Sequence, residues 1–213
     1  MGLFITFEGG EGVGKSLQMK MFSRYLTKSN VKHIVTREPG GTEVAEIIRS
    51  ALLKGDPNKI DPITEALMYL AARSDHFFKR IKPAIDAGYT VICDRFHDSS
   101  VVYQGVCKNV DMCLLNNIYQ SITNGLKPHR TYLIDLDPKI GVKRSLRNKK
   151  NTETRFENMN ISFHQNVRKA FLDIAKSESE RFTVIDGNQN IYKIQKIIQK
   201  DYLALVNNIV HKT

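Results

Sequence analysis

Long apolar runs are missing from this 213-residue chain, and none approaches the length needed to span a bilayer. Cysteine is scarce. Cys93, Cys107 and Cys113 are odd in number and show no C-x-x-C spacing, which argues against a disulfide framework and a zinc site. No secretory signal pattern opens the chain, so the thiols are expected to sit in a reducing cytoplasm. Internal repeats and low-complexity tracts are also lacking. Met1-Gly2 with Thr6 formally matches a myristoylation pattern, but Gly2 to Phe7 reads better as a buried strand. What remains is an ordinary globular composition, 41% hydrophobic and 25% charged, sized for one domain over residues 1–213. Acidic residues are outnumbered, 22 against 32 Lys and Arg, for a net charge of +10. Such an excess fits a lysine-rich surface, a nucleic-acid surface or a site holding several phosphates. Composition does not separate them.

Spacing is more informative. Gly9-Gly10-Glu11-Gly12-Val13-Gly14-Lys15-Ser16 satisfies G-x-x-x-x-G-K-[ST] and follows the apolar run Leu3–Phe7. A glycine-rich turn can match by chance, but here strand, loop and helix pattern fall in the required order. Glycines let successive N–H groups point at phosphate oxygens, and the helix starting at Lys15 and running through Leu17 adds its positive end. Lys15 is expected to reach the β- and γ-phosphates of ATP, and the Ser16 hydroxyl to join a Mg²⁺ shell.

Apolar, β-branched segments at Leu3–Phe7, His33–Thr36, Thr90–Cys93, Thr131–Asp135 and Phe182–Ile185 alternate with helical patterns. The helices are expected at Lys15–Lys28, Thr42–Leu53, Ile63–Ala87, Met112–Asn124, Pro138–Asn148, Ile161–Lys176 and Ile191–Ile209. Alternating units of this kind predict an α/β fold, a doubly wound five-stranded parallel sheet with helices on both faces and ligands at the strands' carboxyl ends. Residues 144–155 carry Arg144, Arg147, Lys149, Lys150 and Arg155 with no apolar residue after Leu146. Charge runs are usually solvated loops; this one also suits a mobile basic lid, at about 147–158, closing over phosphates.

Strand tips supply the other candidates. Asp94, ending Val91-Ile92-Cys93-Asp94, can organise a Mg²⁺ shell, though many strands end in Asp merely to start a turn. Arg95 beside it offers a planar fork for a second phosphate. Thr36-Arg37-Glu38-Pro39-Gly40-Gly41-Thr42 forces a turn and presents Arg37, Glu38 and Arg49 near a strand end. Tyr69 and Arg73 share a helix face, where an aromatic and a donor fork can hold a base, although such pairs are more often surface packing.

Taken together, these motifs resemble the thymidylate kinase family over nearly the whole chain. They are the phosphate loop, TREPGGT at 36–42, the A-A-R ending at Arg73, and Asp94-Arg95 followed by Asp98-Ser99-Ser100 and Tyr103-Gln104-Gly105. The resemblance implies a homodimer of nucleoside-monophosphate-kinase fold that moves phosphate from Mg-ATP to dTMP, with no nucleic-acid or membrane partner. It places Arg49 and Arg95 on the dTMP phosphate, Tyr69 stacked on thymine, Arg73 at the base edge and Ser100 and Gln104 beside base and sugar. Tyr103 then faces the sugar edge and Glu38 arranges the acceptor. Gly12 stands where one subgroup carries a basic residue, so the chain resembles the bacterial subgroup, whose lid supplies that cation; Arg155 fits best and Arg147 next. Catalysis is thereby assigned to Lys15, Arg95, Arg155 and Glu38. The sequence departs from the family at Phe96-His97, Val102 and Val106-Cys107-Lys108-Asn109, which touches the shape of the acceptor pocket. A kinase of another nucleoside monophosphate, or a nucleic-acid-dependent ATPase, remains compatible with the phosphate loop alone.

Overall fold

A computed structural model describes residues 2–56, 59–147 and 155–210. The expected lid falls mostly on 148–154, outside the described residues. The chain opens with β1 (Phe4–Glu8), enters the glycine-rich loop, and continues as α1 (Lys15–Lys28) and β2 (His33–Arg37). There follow α2 (Glu43–Leu53), α3 (Pro62–His76), a π-helical stretch at Phe77–Ile81 and α4 (Lys82–Asp86). Next come β3 (Thr90–Asp94), α5 (His97–Ser100) running into a second π-helical stretch at Val101–Val106, and α6 (Met112–Thr123). The chain then forms β4 (Arg130–Asp135), α7 (Pro138–Leu146), α8 (Ile161–Ser177), β5 (Phe182–Asp186) and α9 (Ile191–Val210).

The strands form one parallel sheet in the order β2-β3-β1-β4-β5, with Phe7 opposite Asp94 and Tyr132. Side chains of β1 alternate between two cores because successive residues point to opposite faces. Leu3, Ile5 and Phe7 pack with Met19, Phe22 and Leu26 of α1 and Ile194 and Ile198 of α9. Phe4 faces the other way, onto Phe77, Ile81, Phe96 and Tyr119. Both faces of the sheet are thus covered, as the near-continuous apolar strands require. β1 lies between β3 and β4, so the chain's excursions to either side open a crevice at its carboxyl end, where the loop begins.

Two elements differ from the sequence reading. The helix expected over Ile63–Ala87 widens at Phe77–Ile81. Pro83 follows two residues after Ile81; it has no N–H for an i→i−4 bond, and a widened turn accommodates that gap. The segment 97–106 was read only as a motif, yet it is helical. Gly105 there admits α6, since a Cβ would sit 2.4 Å from Met112 Sδ.

Candidate active site

The loop after β1 wraps around its own lysine. Lys15 Nζ donates to the carbonyls of Gly9 (3.0 Å) and Gly10 (2.9 Å). Burial, with Arg95 nearby, lowers its pKa. Backbone approach explains Gly12: its φ is +66°, and a Cβ would lie 1.9 Å from the carbonyl oxygen of Gly141 in α7. Gly141 is constrained reciprocally, by Glu11 O at 2.4 Å. No side chain, basic or otherwise, fits at position 12 while α7 rests there.

Beside the loop, β3 ends in Asp94, whose Oδ2 accepts from Ser16 Oγ at 3.3 Å. Its Oδ1 is buried without a partner in the described structure. A carboxylate and a hydroxyl are the hard oxygen donors Mg²⁺ takes from a protein when phosphates and water complete its shell. Among the described residues no cluster of three or more His, Cys, Asp or Glu could hold a metal by itself. The donor set therefore fits a cation shared with a ligand.

Arg95 has left-handed backbone, φ +63°, a strained conformation for a residue with a side chain. That turn aims its guanidinium across the cleft. Nη2 pairs with Glu11 Oε1 at 2.8 Å, Nη1 donates to Ser99 Oγ at 3.1 Å, and the fork lies 5.0 Å above the Tyr103 ring. Tyr103 Oη donates to the same Glu11 oxygen at 2.9 Å. Burial would raise Glu11, but Arg95 and Lys15 outweigh it and hold the carboxyl at about 2. Glu8, at the tip of β1, behaves oppositely. Burial and the nearby Asp98 push it up to about 7 despite Arg95 and the donors Ser99 Oγ (2.7 Å) and Phe96 N (2.8 Å).

The far wall comes from β2 and α3. Glu38 is buried, its Oε2 accepting from Arg73 Nε at 2.8 Å and its Oε1 paired with His76 Nδ1 at 3.1 Å. His76 Nε2 bonds Thr36 Oγ1 at 2.6 Å, so strand and helix share one polar relay. Arg73 Nη1 and Ser100 Oγ are buried without partners in the described structure, and both residues line the cleft. Phe96 supports Arg73 from below at 5.1 Å; the departure from the family pattern here supplies an apolar seat. Arg49 Nη1 donates to Pro39 O at 2.7 Å. Tyr69 is partly buried, and burial raises its hydroxyl pKa.

A cavity of about 610 Å³ joins these parts. Lys15, Ser16, Glu38, Arg49, Tyr69, Arg73, Asp94, Arg95, Ser100, Tyr103 and Gln104 all line it, with Arg144 and Glu157 at one rim. Phosphate-loop and acceptor candidates are thus brought into one space. Arg155 is not. Only 1% exposed, it pairs with Glu65 Oε2 at 2.5 Å and donates to the carbonyls of Leu52 (2.9 Å) and Asp56 (3.2 Å). Its guanidinium is thus engaged by a carboxylate and two carbonyls away from the cleft, so the role expected of Arg155 at the transferring group requires it to leave these partners when the lid closes. Glu8, Glu65 and His76 were missed by the sequence reading, and Arg144 was read only as part of the basic run. Glu65 carried a readable signal, standing four residues before Tyr69 on the face that also holds Arg73.

A family model described as thymidylate kinase matches residues 7–198. The chain is 41% identical over 200 residues to a thymidylate kinase of Symbiobacterium thermophilum, covering 94% of this chain and 92% of the relative. It is 45% identical over 189 residues to one of Rhodopseudomonas palustris, covering 88% and 82%. The fold is similar to a crystal structure of thymidylate kinase from Ehrlichia chaffeensis, with a TM-score of 0.75, 32% identity, and 94% and 98% of the two chains covered.

Proposed function

The chain belongs to the thymidylate kinase family, and from that premise we propose that it transfers the γ-phosphoryl group of ATP to dTMP, giving dTDP and ADP. The observation that carries the reading is a single 610 Å³ cleft with a phosphate loop at one end and Arg49, Arg73 and Arg95 at the other. Two polyanions must meet end to end, so in-line positioning and positive charge do most of the catalytic work.

Residues 9–17 hold the ATP phosphates, with Lys15 exchanging the Gly9 and Gly10 carbonyls for phosphate oxygens. Ser16 and Asp94 would hold Mg²⁺, which would supply positive charge against that of the phosphates. Arg95, its fork set by Glu11 and Ser99, receives the dTMP phosphate together with Arg49. Glu38 fixes Arg73, whose remaining nitrogen meets the base edge beside Tyr69, Ser100 and Gln104. Tyr103 bounds the sugar. The dTMP phosphate needs no general base because it is largely ionised near neutral pH. The transferring group takes its lid cation from the end of α7, Arg144 at the rim or Arg147 beside it, while Arg155 anchors the lid's foot. The enzyme works as a homodimer in the cytoplasm, with no membrane or nucleic-acid partner; unpaired Cys93, Cys107 and Cys113 suit a reducing compartment.

The test is a coupled-assay panel of dTMP, dUMP, dCMP, dGMP and UMP with Mg-ATP. Preference for dTMP is expected; a higher kcat/KM for any other acceptor overturns the substrate assignment.

A further inference from the structure

Glu65 has no part in the mechanism above, yet it is the most heavily engaged buried carboxylate near the cleft. It is 0% exposed. Oε1 accepts from Gln104 Nε2 at 2.9 Å, and Oε2 takes both Lys108 Nζ (2.8 Å) and Arg155 Nη2 (2.5 Å). Lys108 belongs to the stretch that departs from the family pattern, and Arg155 belongs to the segment expected as the lid. Glu65 therefore joins the acceptor helix, the segment after Gly105 and the lid's foot at one charged point.

Gln104 is the member that faces the ligand. It lines the cleft, and an amide has two ends of opposite character, a donor NH₂ and an acceptor carbonyl. A buried carboxylate accepts only, so it selects the NH₂ end for itself. With the NH₂ end taken by Glu65, the carbonyl is the end that Gln104 has to offer to the cleft it lines. An acceptor there suits a base whose ring nitrogen carries a hydrogen, the imide N–H of a pyrimidine-2,4-dione. It opposes cytosine, whose equivalent nitrogen is itself an acceptor. We propose that Glu65 is a positioning residue for acceptor specificity, orienting the Gln104 amide so that its carbonyl reads the imide N–H. This rests on dTMP being the acceptor.

Glu65→Gln leaves two buried cations short of their counter-charge and risks misfolding. Glu65→Asp is the primary variant. It keeps the charge but withdraws the carboxylate from Gln104 by about one C–C bond, roughly 1.5 Å. Steady-state kinetics on dTMP and dCMP are compared for wild type, Glu65→Asp, Gln104→Met and the double variant. Loss of uniform binding raises KM without lowering kcat. Both single variants are expected to raise the dTMP KM about tenfold, with kcat and the ATP KM within about twofold, as one lost hydrogen bond predicts. The ratio of dCMP to dTMP kcat/KM rises in both, and the double variant is no worse than Gln104→Met. A Glu65→Asp protein that melts lower with that ratio unchanged, or additive losses in the double variant, overturns the proposal. Wild-type indifference to dTMP would instead strike the substrate assignment.

Discussion

Arg155 owes its place to a buried neighbour. Breaking a buried ion pair by removing one partner costs about 3–5 kcal/mol, because the other charge stays desolvated. Arg155→Met is therefore expected to lower the melting temperature and raise the dTMP KM through Glu65, whereas Arg144→Ala should fold normally. If Arg144 supplies the lid cation, its loss lowers kcat by about 10³-fold or more at nearly constant dTMP KM, on the scale of arginine fingers. Thermal melts and steady-state kinetics on the pair decide it; a normal kcat in Arg144→Ala moves the role to Arg147. Glu8 offers a second residue-level test. Its folded pKa of about 7 lies above the ordinary 4.5, so the folded state binds the proton more tightly. Its contribution is complete below pH 4.5 and disappears as the pH rises through 7. Over that window the wild type should lose stability relative to Glu8→Gln, by at most about 3 kcal/mol, in urea unfolding at the two pH values. Phosphate-loop residues were legible because each is required at a fixed spacing. The ion pair of Arg155 with Glu65 was not, since the partner lies far away in sequence and nothing around Thr154-Arg155-Phe156 names Glu65.

Elements were legible where apolar periodicity sets them. All five strands were anticipated, but four ran one residue further, to Glu8, Arg37, Asp94 and Asp186. The reading stopped at the last residue inside the apolar run, while the parallel ladder continues to the polar tip where the site begins. The π-helical stretch at Val101–Val106 was hidden because its register depends on α6 passing Gly105. The meeting of loop and α7 was equally hidden, since it needs two glycines, Gly12 and Gly141, distant in sequence and touching in space. It also makes a prediction. A methyl at Gly141 would sit 2.4 Å from Glu11 O, so Gly141→Ala must push α7 off the phosphate loop. We expect the ATP KM to rise and kcat to fall, each by about tenfold, with dTMP affinity by calorimetry little changed; a tenfold change corresponds to about 1.4 kcal/mol, so kcat/KM for ATP falls by about 2.8 kcal/mol. Unchanged ATP kinetics would show that the loop yields freely.

At the scale of the whole molecule, the +10 net charge is explained only in part by the cleft, where Lys15, Arg49, Arg73, Arg95 and Arg144 gather. The rest is dispersed surface. Exposed apolar side chains are less easily dismissed. Val44 and Ile47 on α2 are 45% and 67% exposed, and Ile63 and Leu67 on α3 are 54% and 45% exposed. Each pair repeats at helical spacing, so each marks one helix face, and α2 and α3 pack on each other. Scattered exposed apolar residues need no explanation, but faces on neighbouring helices suit an isologous contact with a second copy, in which each patch meets itself. A lysine at the centre of such a contact must face its own symmetry mate, and like charges there cost several kcal/mol. Ile47→Lys and Leu67→Lys should therefore shift the protein from dimer to monomer in size-exclusion chromatography with light scattering. Tyr69 and Arg73 share α3 with this face, so the same variants are expected to raise the dTMP KM more than the ATP KM. A wild type that elutes as a monomer at micromolar concentration, or variants that remain dimeric, would remove these helices from the interface.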